Sequence, residues 1–313
     1  MRVGTWNLEN LFRPGEGSGG PPDDATYDAK LNSLAGVVDG LAVDVLAVQE
    51  VGSPAALDDL VARLEGSWHS ALATPDARGI RVGVLSRTPL AEVHEIARFP
   101  HLVAPVQVDD AGNTLDSLGR PALAARVRVQ GVDVDVVSVH LKSKLLSFPG
   151  GRFSPRDEDE RARYAVYALH RRAAEAAGVR VHVTGLLADQ GRTRVLVVAG
   201  DLNDVPTAAT TQILLGPPGS EIGTGGFDAP DRGDGSRLWN VESLIPEEDR
   251  YSRIYRGRRE LIDHLLVTRA AVERVTRVET AGPVPESVTD DPLARADEPA
   301  SDHRPVVATI GRD

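Results

Sequence analysis

Short apolar segments that end in polar residues recur along the whole sequence, and this pattern limits the possible folds most strongly. Within residues 132–136, Val alternates with Asp, as in a strand with one solvated face. Residues 195–199 are continuously apolar, as in a strand covered on both faces. Seven segments have the composition of β-strands: residues 43–51, 81–87, 124–129, 132–141, 194–199, 261–268 and 304–310.

Helical segments lie between these strands, at residues 25–41, 54–64 and 154–177. In the third segment, Ser154 is the predicted N-cap and Pro155 the first helical residue, and residues 157–160 are acidic. The composition of residues 179–184 is β-like, so the sequence leaves open whether this helix continues. In the first segment the apolar residues have helical spacing: Leu31, Leu34, Val38 and Leu41.

The mixture of strands, helices and hairpin-like pairs predicts a single α/β domain with mixed sheets over residues 1–313. Gly- and Pro-rich loops occupy residues 14–24, 216–235 and 281–300, and none of them separates two candidate cores. No stretch approaches the roughly 20 apolar residues of a membrane span. The first residues contain no apolar segment of the signal-peptide type, so we expect a cytoplasmic protein.

Composition excludes several classes of function. The chain has no cysteine, which rules out disulfide scaffolds, thiolate catalysis, zinc–thiolate sites and iron–sulfur clusters. Its net charge of -11 disfavours a dedicated, high-affinity nucleic-acid binder, because phosphate contacts supply most of such affinity. An enzyme that meets a phosphodiester briefly remains possible.

Polar residues at six strand ends supply carboxylates, amides, imidazoles and an amine. Hard oxygen ligands such as Glu50 and Asp302, with the amide of Asn7, suit Mg²⁺ or Mn²⁺. Such an ion would neutralise a phosphoryl oxygen, and an Asp–His pair could orient or activate a reactant. The full set is Asn7, Glu9, Glu50, His140, Lys142, Asp201, Asn203, Asp263, Asp302 and His303.

The motifs around these residues resemble those of the endonuclease/exonuclease/phosphatase superfamily. That superfamily includes deoxyribonuclease-I-like and exonuclease-III-like nucleases, sphingomyelinases and inositol-phosphate phosphatases. The resemblance covers residues 5–307 and implies a four-layer αββα sandwich of two mixed β-sheets flanked by helices. The motifs occur in the family's order: TWNLEN, LAVQEV, SVHLKS, GDLND, LIDHLL and SDHRPV.

The resemblance also implies a metal site for Mg²⁺ or Mn²⁺. Glu50 corresponds to the central metal ligand of the family, and Asn7 and Asp302 complete the metal or phosphate site. Glu9 falls where some members carry another acidic ligand, so a second metal ion stays open. Lys142 matches a subset of bacterial members, and we expect it to bind phosphate.

The catalytic roles implied by the resemblance fall on five residues. Asp201 orients or deprotonates the attacking water, or protonates the leaving group. Asn203 binds the phosphate. His303, paired with Asp263, contacts the scissile phosphate. His140 contacts the phosphate or hydrogen-bonds to the leaving oxygen.

Simpler explanations exist for single residues. Asn7 and Asn203 could cap turns, Asp201 could cap a helix, and His140 could be a satisfied core histidine. The G-x-G-x-x-G match at residues 15–20 precedes Pro21 rather than a helix start, which disfavours a dinucleotide site. An Arg- and Tyr-rich segment at residues 250–259 could contact substrate phosphates or form a solvated strand face.

We therefore predict a divalent-metal-dependent hydrolase of phosphoester bonds, using activated water without a covalent intermediate. A nuclease or phosphodiesterase is the first interpretation. The alternative is a phosphatase or phosphodiesterase acting on a small phosphorylated molecule, such as a sugar, lipid or nucleotide phosphate. A non-catalytic binding module of the same fold is the third. The sequence leaves the oligomeric state open.

Overall fold

A computed structural model of the chain describes residues 1–17, 19–291 and 294–311. It contains two six-stranded sheets and two smaller ones, with helices outside the large sheets. The strands are β1 Arg2–Leu11, β2 Val45–Val51, β3 His69–Leu72, β4 Arg81–Ser86, β5 Leu90–Arg98, β6 Val106–Gln107, β7 Thr114–Leu115, β8 Ser117–Val129, β9 Val132–His140, β10 Val195–Asp201, β11 Trp239–Asn240, β12 Arg253–Tyr255, β13 Arg258–Glu260, β14 Asp263–Val267, β15 Val275–Thr280, β16 Ser287–Val288 and β17 Val306–Ile310.

The helices are unequal in length. No helix among the described residues combines the length and apolarity that crossing a membrane requires. Three-residue and four-residue 3₁₀ turns lie at Arg232–Gly235, Glu242–Leu244 and Glu247–Asp249. The α-helices are α1 Asp24–Leu41, α2 Pro54–Val61, α3 Glu158–Leu187, α4 Ala209–Gln212, α5 Gly225–Asp228 and α6 Arg269–Val272.

Each large sheet contains one parallel pair of strands at its centre. The first sheet has the order β15-β17-β1-β2-β4-β3, and its β1 and β2 are parallel. The second has the order β11-β14-β10-β9-β8-β5, and its β9 and β10 are parallel. The parallel strands are joined through α1 and α3 respectively, as a crossover connection requires. Both strands of each pair therefore end at the same edge of their sheet.

The two sheets pack face to face, with a helix layer on each outer face. The central core joins Val3 and Val84 of the first sheet to Val136 and Val197 of the second. A second apolar cluster packs α1 and α2 on the outer face of the first sheet, and a third packs α3 on the second. The predicted four-layer αββα sandwich is confirmed, and all seven predicted strands are present.

Helix α3 differs from the prediction at both ends. It begins at Glu158, because the carboxylate of Asp157 accepts the Glu160 amide at 2.7 Å and so caps the helix in place of Ser154. It continues to Leu187 through the β-like segment, since Val179 and Leu187 bury fully against the second sheet. Tertiary packing overrides the local preference of β-branched residues here.

Gly200 in β10 offers a test of how tightly the second sheet is built next to the site. A Cβ atom at this position would lie 1.9 Å from the carbonyl oxygen of Val139 in the neighbouring strand. We expect Gly200→Ala to lower the free energy of unfolding by about 3 kcal/mol, the upper range for overpacking. Urea denaturation measures this change.

The matched control is Gly185→Ala on the exposed side of α3, where a Cβ atom would meet nothing within 4 Å. This substitution should raise the free energy of unfolding by up to about 1 kcal/mol, because Ala favours a helix over Gly. Equal stabilities of the two variants would contradict the packing argument.

Candidate active site

The predicted polar strand ends meet at one edge of the sandwich, where the parallel pairs of both sheets terminate. Side-chain hydrogen bonds join the two halves of the sandwich at this point. The Asn7 amide donates to Asp201 Oδ2 at 3.1 Å, and His303 Nδ1 lies 2.6 Å from Asp263 Oδ2. All four residues are buried. The site is therefore built from both sheets and belongs to neither alone.

Irregularities in the strands direct the acidic side chains into this edge. The pairing of β1 with β2 shifts register between Asn7 and Leu11, and the pairing of β2 with β4 shifts beyond Val48. Glu9 and Glu50 lie within these shifts and have positive φ angles of 50° and 62°. A bulge of this kind re-aims a side chain, and the left-handed backbone is unfavourable for Glu.

The Asp263–His303 pair holds an imidazolium at the centre of the site. Burial alone would lower the pKa of His303, but the negative charges of Asp263 and Asp302 raise it to about 10. The His303 backbone is fixed as well, since its carbonyl accepts from Trp6 Nε1 at 2.8 Å and its amide donates to Ser301 Oγ at 3.0 Å. His303 Nε2 is then a charged donor, 3.8 Å from Asp302 Oδ1.

Asp201 is a carboxyl group that can exchange a proton near neutral pH. Burial and the charge of Asp263 raise the pKa of Asp201 to about 7, against the opposing effect of His303. Its Oδ1 accepts the backbone N–H of Asn203 at 2.8 Å, which fixes its orientation. A pKa near the working pH is what a general base needs.

His140 provides a neutral imidazole on the other side of Asp201. Its Nε2 lies 3.5 Å from Asp201 Oδ2 and 3.9 Å from Glu50 Oε1. Burial and the nearby guanidinium of Arg120 lower the pKa of His140 well below its ordinary value. Its Nδ1 is buried without a hydrogen-bond partner in the structure. His140 and His303 thus differ in charge, as the acid and base groups of one site often do.

Cationic side chains of this chain lie near Glu9 of β1 and Asp302 of the segment before β17. Arg295 Nε donates to Glu9 Oε1 at 2.9 Å, and Arg253 Nε lies 3.3 Å from Asp302 Oδ2. Burial and the charge of Asp302 raise the pKa of Glu9 to about 7. Lys30 of α1 is 3% exposed, and its pKa is lowered by burial although Glu9 and Asp302 favour its charged form.

The donors at this edge fit a hard divalent cation. Glu50 Oε2 accepts the backbone N–H of Asn10 at 3.0 Å, and Glu50 Oε1 lies 3.9 Å from His140 Nε2. Among the residues that the structure describes, one group of three His or acidic side chains is close enough to share an ion. It consists of Asp201, Asp263 and His303, whose ligand atoms all lie within 4.8 Å of one another. In that group Asp263 and His303 already hydrogen-bond to each other, which favours proton chemistry over metal binding there.

The side chains of Lys142 and Asn203 hydrogen-bond to backbone carbonyls, and their binding of phosphate stays a prediction. The Lys142 ammonium donates to the carbonyls of Ser143 and Leu145 at 2.9 and 2.8 Å, within its own loop. Burial, together with nearby arginines, lowers the pKa of Lys142 to about 7. The Asn203 amide donates to the Leu141 carbonyl at 3.0 Å. Both side chains therefore stabilise the loops after β9 and β10 in this structure.

A buried ionic network behind the site was missed by the sequence analysis. Glu175 of α3 accepts the Lys142 amide at 2.6 Å, and Arg172 donates to the Lys142 carbonyl at 3.0 Å. Arg172 Nε also contacts Asp204 Oδ2 at 3.2 Å, in the loop after β10. The sequence signal for this network was helical spacing. Arg172 and Glu175 lie seven and four residues before Val179, on the face of α3 that is buried.

The class of protein follows from this fold and from a family comparison. The Endonuclease/Exonuclease/phosphatase family matches residues 4–303 of the sequence. The chain belongs to this family, which confirms the resemblance seen in the motifs. Membership supports phosphoester hydrolysis as the chemistry of the site. A comparison with curated proteins gave no match.

Solved structures with a similar fold cover essentially the whole chain. The 3'-5' exonuclease NExo from Neisseria meningitidis is 20% identical, with a TM-score of 0.55 and 100% of both chains covered. A humanized D. rerio TDP2 is 15% identical, with a TM-score of 0.58, covering 100% of this chain and 99% of that one. A Bacteroides vulgatus endonuclease/exonuclease/phosphatase is 15% identical, with a TM-score of 0.57 and coverages of 100% and 98%. These likenesses establish the fold alone.

The network behind the site leads to a stability prediction. Arg172→Leu removes the guanidinium that pairs with Asp204 and donates to the Lys142 carbonyl, whereas Asp204 keeps the Lys144 ammonium at 3.0 Å. Losing the partners of these buried acceptors should lower the free energy of unfolding by about 1–3 kcal/mol. Thermal and urea denaturation would measure the loss.

The control for this prediction is Arg161→Ala on the exposed start of α3, where the pair with Glu158 lies in solvent. An exposed helix pair contributes only about 0.3–0.5 kcal/mol, so this variant should be nearly as stable as the wild type. A similarly small loss for Arg172→Leu would refute the role given to the network.

Proposed function

We propose that the chain is a divalent-metal-dependent phosphodiesterase that acts on nucleic acid. The observation that carries this proposal is the pairing of an Asp201 carboxyl, poised near neutral pH, with the Asp263–His303 imidazolium beside it. One structural neighbour, NExo, is a 3'-5' exonuclease, and another structure of NExo is that of a 3' phosphatase bound to product DNA hairpin. These neighbours support a nucleic-acid substrate for this chain.

The proposed metal site uses Glu50 and Asn7, with Asp302 nearby. When bound, Mg²⁺ or Mn²⁺ would supply positive charge to a phosphoryl oxygen and to the leaving oxygen. Glu50 Oε1 is directed toward the site and forms no ion pair with Lys or Arg among the residues that the structure describes. Carboxylate and amide oxygens are the ligands that these ions prefer.

The chain's own residues account for the proton transfer and the binding of phosphate. Asp201 accepts a proton from the attacking water, whose oxygen forms the new bond to phosphorus opposite the breaking bond to the leaving oxygen. His303 Nε2 donates a hydrogen bond to a non-bridging oxygen, and Asp263 keeps that imidazole charged. His140, neutral and oriented toward Asp201, contacts the oxygens from the other side.

Local charge makes an acidic chain compatible with a nucleic-acid substrate. The net charge is -11, yet Arg253 lies at the site and the β12–β13 hairpin continues outward with Arg256, Arg258 and Arg259. Arg256 pairs with Asp290, and Arg259 lies 4.4 Å from the ring centroid of Tyr251. Arg258 and Arg259 are exposed, and their attraction for substrate phosphates should weaken with salt.

The chemistry is tested by hydrolysis of bis-p-nitrophenyl phosphate with Mg²⁺ or Mn²⁺. We expect EDTA to abolish the activity, and Asp201→Asn and His303→Gln to lower kcat about 10²–10⁴-fold, the usual contribution of acid–base groups. Asp133→Asn, on the exposed end of β9, is the control and should retain full activity. Activity that survives EDTA, or that both site variants retain, would refute the proposal.

The substrate class is tested with labelled DNA hairpins and single strands that carry either a 3'-hydroxyl or a 3'-phosphate. Metal-dependent shortening of the 3'-hydroxyl strands is the expected result for a nuclease. Removal of the 3'-phosphate alone would assign a phosphatase on the same site. Hydrolysis of small phosphate esters without action on any DNA would replace nucleic acid by a small phosphorylated molecule as the substrate.

A further inference from the structure

The carboxylate of Glu9 is fully engaged by donors of this chain. Arg295 Nε donates to Oε1 at 2.9 Å and Arg295 Nη2 to Oε2 at 3.4 Å, while the Asp302 amide donates to Oε2 at 2.8 Å. Glu9 is also buried, at 8% exposure. A carboxylate in a direct ion pair with a guanidinium has most of its charge compensated before any metal ion arrives.

Arg295 is fixed in this position by contacts of its own. Its Nη2 also donates to the Ala300 carbonyl at 2.9 Å, and its Nη1 contacts Glu286 Oε2 at 3.3 Å. The guanidinium therefore bridges β1 to the segment between β16 and β17. Its side chain is only 14% exposed, so solvent screens the pair with Glu9 weakly.

A second cationic side chain, that of Lys30, lies near the same carboxylates. Lys30 projects from α1, is 3% exposed, and interacts electrostatically with Glu9, Asp302 and Glu50. Lysine is almost never buried to this degree without acidic neighbours. Arg253 compensates Asp302 in the same way, at 3.3 Å. Glu50 is thus the carboxylate of this group that lacks a guanidinium partner among the described residues.

We propose that Arg295 and Lys30 take the place of a second metal ion beside Glu9, so that the site binds one divalent cation, through Glu50, rather than two. Glu9 is then a positioning residue that holds Asp302 and the Arg295 segment, and not a ligand. This inference rests on the proposed metal dependence. A dication next to Glu9 would be repelled by the guanidinium of Arg295, whose Nε lies 2.9 Å from Glu9 Oε1, and this repulsion disfavours its binding.

The test is the number of Mn²⁺ ions bound by the purified, chelator-treated chain. Calorimetry and the electron paramagnetic resonance signal of free Mn²⁺ both measure this number. The wild type should bind one ion. Glu9→Gln keeps the shape of the side chain and should change the Mn²⁺ affinity by no more than about threefold. Glu50→Gln should lower the Mn²⁺ affinity about 100-fold or more, because loss of a residue that only supports a metal ligand already costs about 10–100-fold. Circular dichroism verifies that each variant is folded.

Removing the guanidinium gives the complementary result. Arg295→Ala should create a second, weaker Mn²⁺ site, and the double variant Arg295→Ala/Glu9→Gln should lose it again. Arg295→Lys keeps the charge and should still bind one ion, as should Arg258→Ala, a control at an exposed arginine of β13.

Three results would overturn the inference. They are two ions in the wild type, a large loss of affinity in Glu9→Gln, or a folded Arg295→Ala variant that still binds one ion. A wild type that binds no Mn²⁺ would instead refute the metal dependence on which the inference rests.

Discussion

Two hydrogen bonds across the sandwich, Asn7 to Asp201 and His303 to Asp263, are the contacts on which the rest of the site depends. The first joins β1 to β10, and the second joins the segment before β17 to β14. The distances of 3.1 and 2.6 Å exist only if the two sheets pack at one relative position, because side chains this short have little reach. The hydrophobic core between the sheets therefore sets the geometry of the proposed chemistry.

Burial gives these few groups their unusual proton affinities. In water, Asp201 would be fully ionised and His303 mostly neutral at pH 7. In the protein, burial and the charge of Asp263 raise the pKa of Asp201 to about 7. Against the effect of burial, the charges of Asp263 and Asp302 raise the pKa of His303 to about 10, so Asp263 contributes to both shifts. The cations around Glu9 and Asp302 limit the excess negative charge that would otherwise destabilise this edge.

Much of the fold could be predicted because strand ends and site residues coincide in the sequence. Four site residues lie at or near the carboxyl ends of apolar strands: Asn7, Glu50, His140 and Asp201. Because parallel neighbours end at the same edge of a sheet, these residues are expected to meet there. Strand β5 was missed because it is a mostly exposed edge strand with a polar sequence. The partners of the site residues could not be predicted either, because they come from distant parts of the chain. Arg172 donates to the Lys142 carbonyl, and Arg295 donates to Glu9. That residues 1–313 form one domain stays a prediction.

The left-handed backbone at Glu9, Glu50 and Asn203 has a consequence for which residues these positions favour. Glycine adopts these φ angles without steric cost, whereas Glu adopts them at a cost of order 1–3 kcal/mol. The backbone conformation alone would therefore favour Gly at positions 9 and 50. At position 9, however, Gly would also leave the Arg295 guanidinium without its carboxylate partner, so the ion pair offsets the cost of the left-handed backbone there.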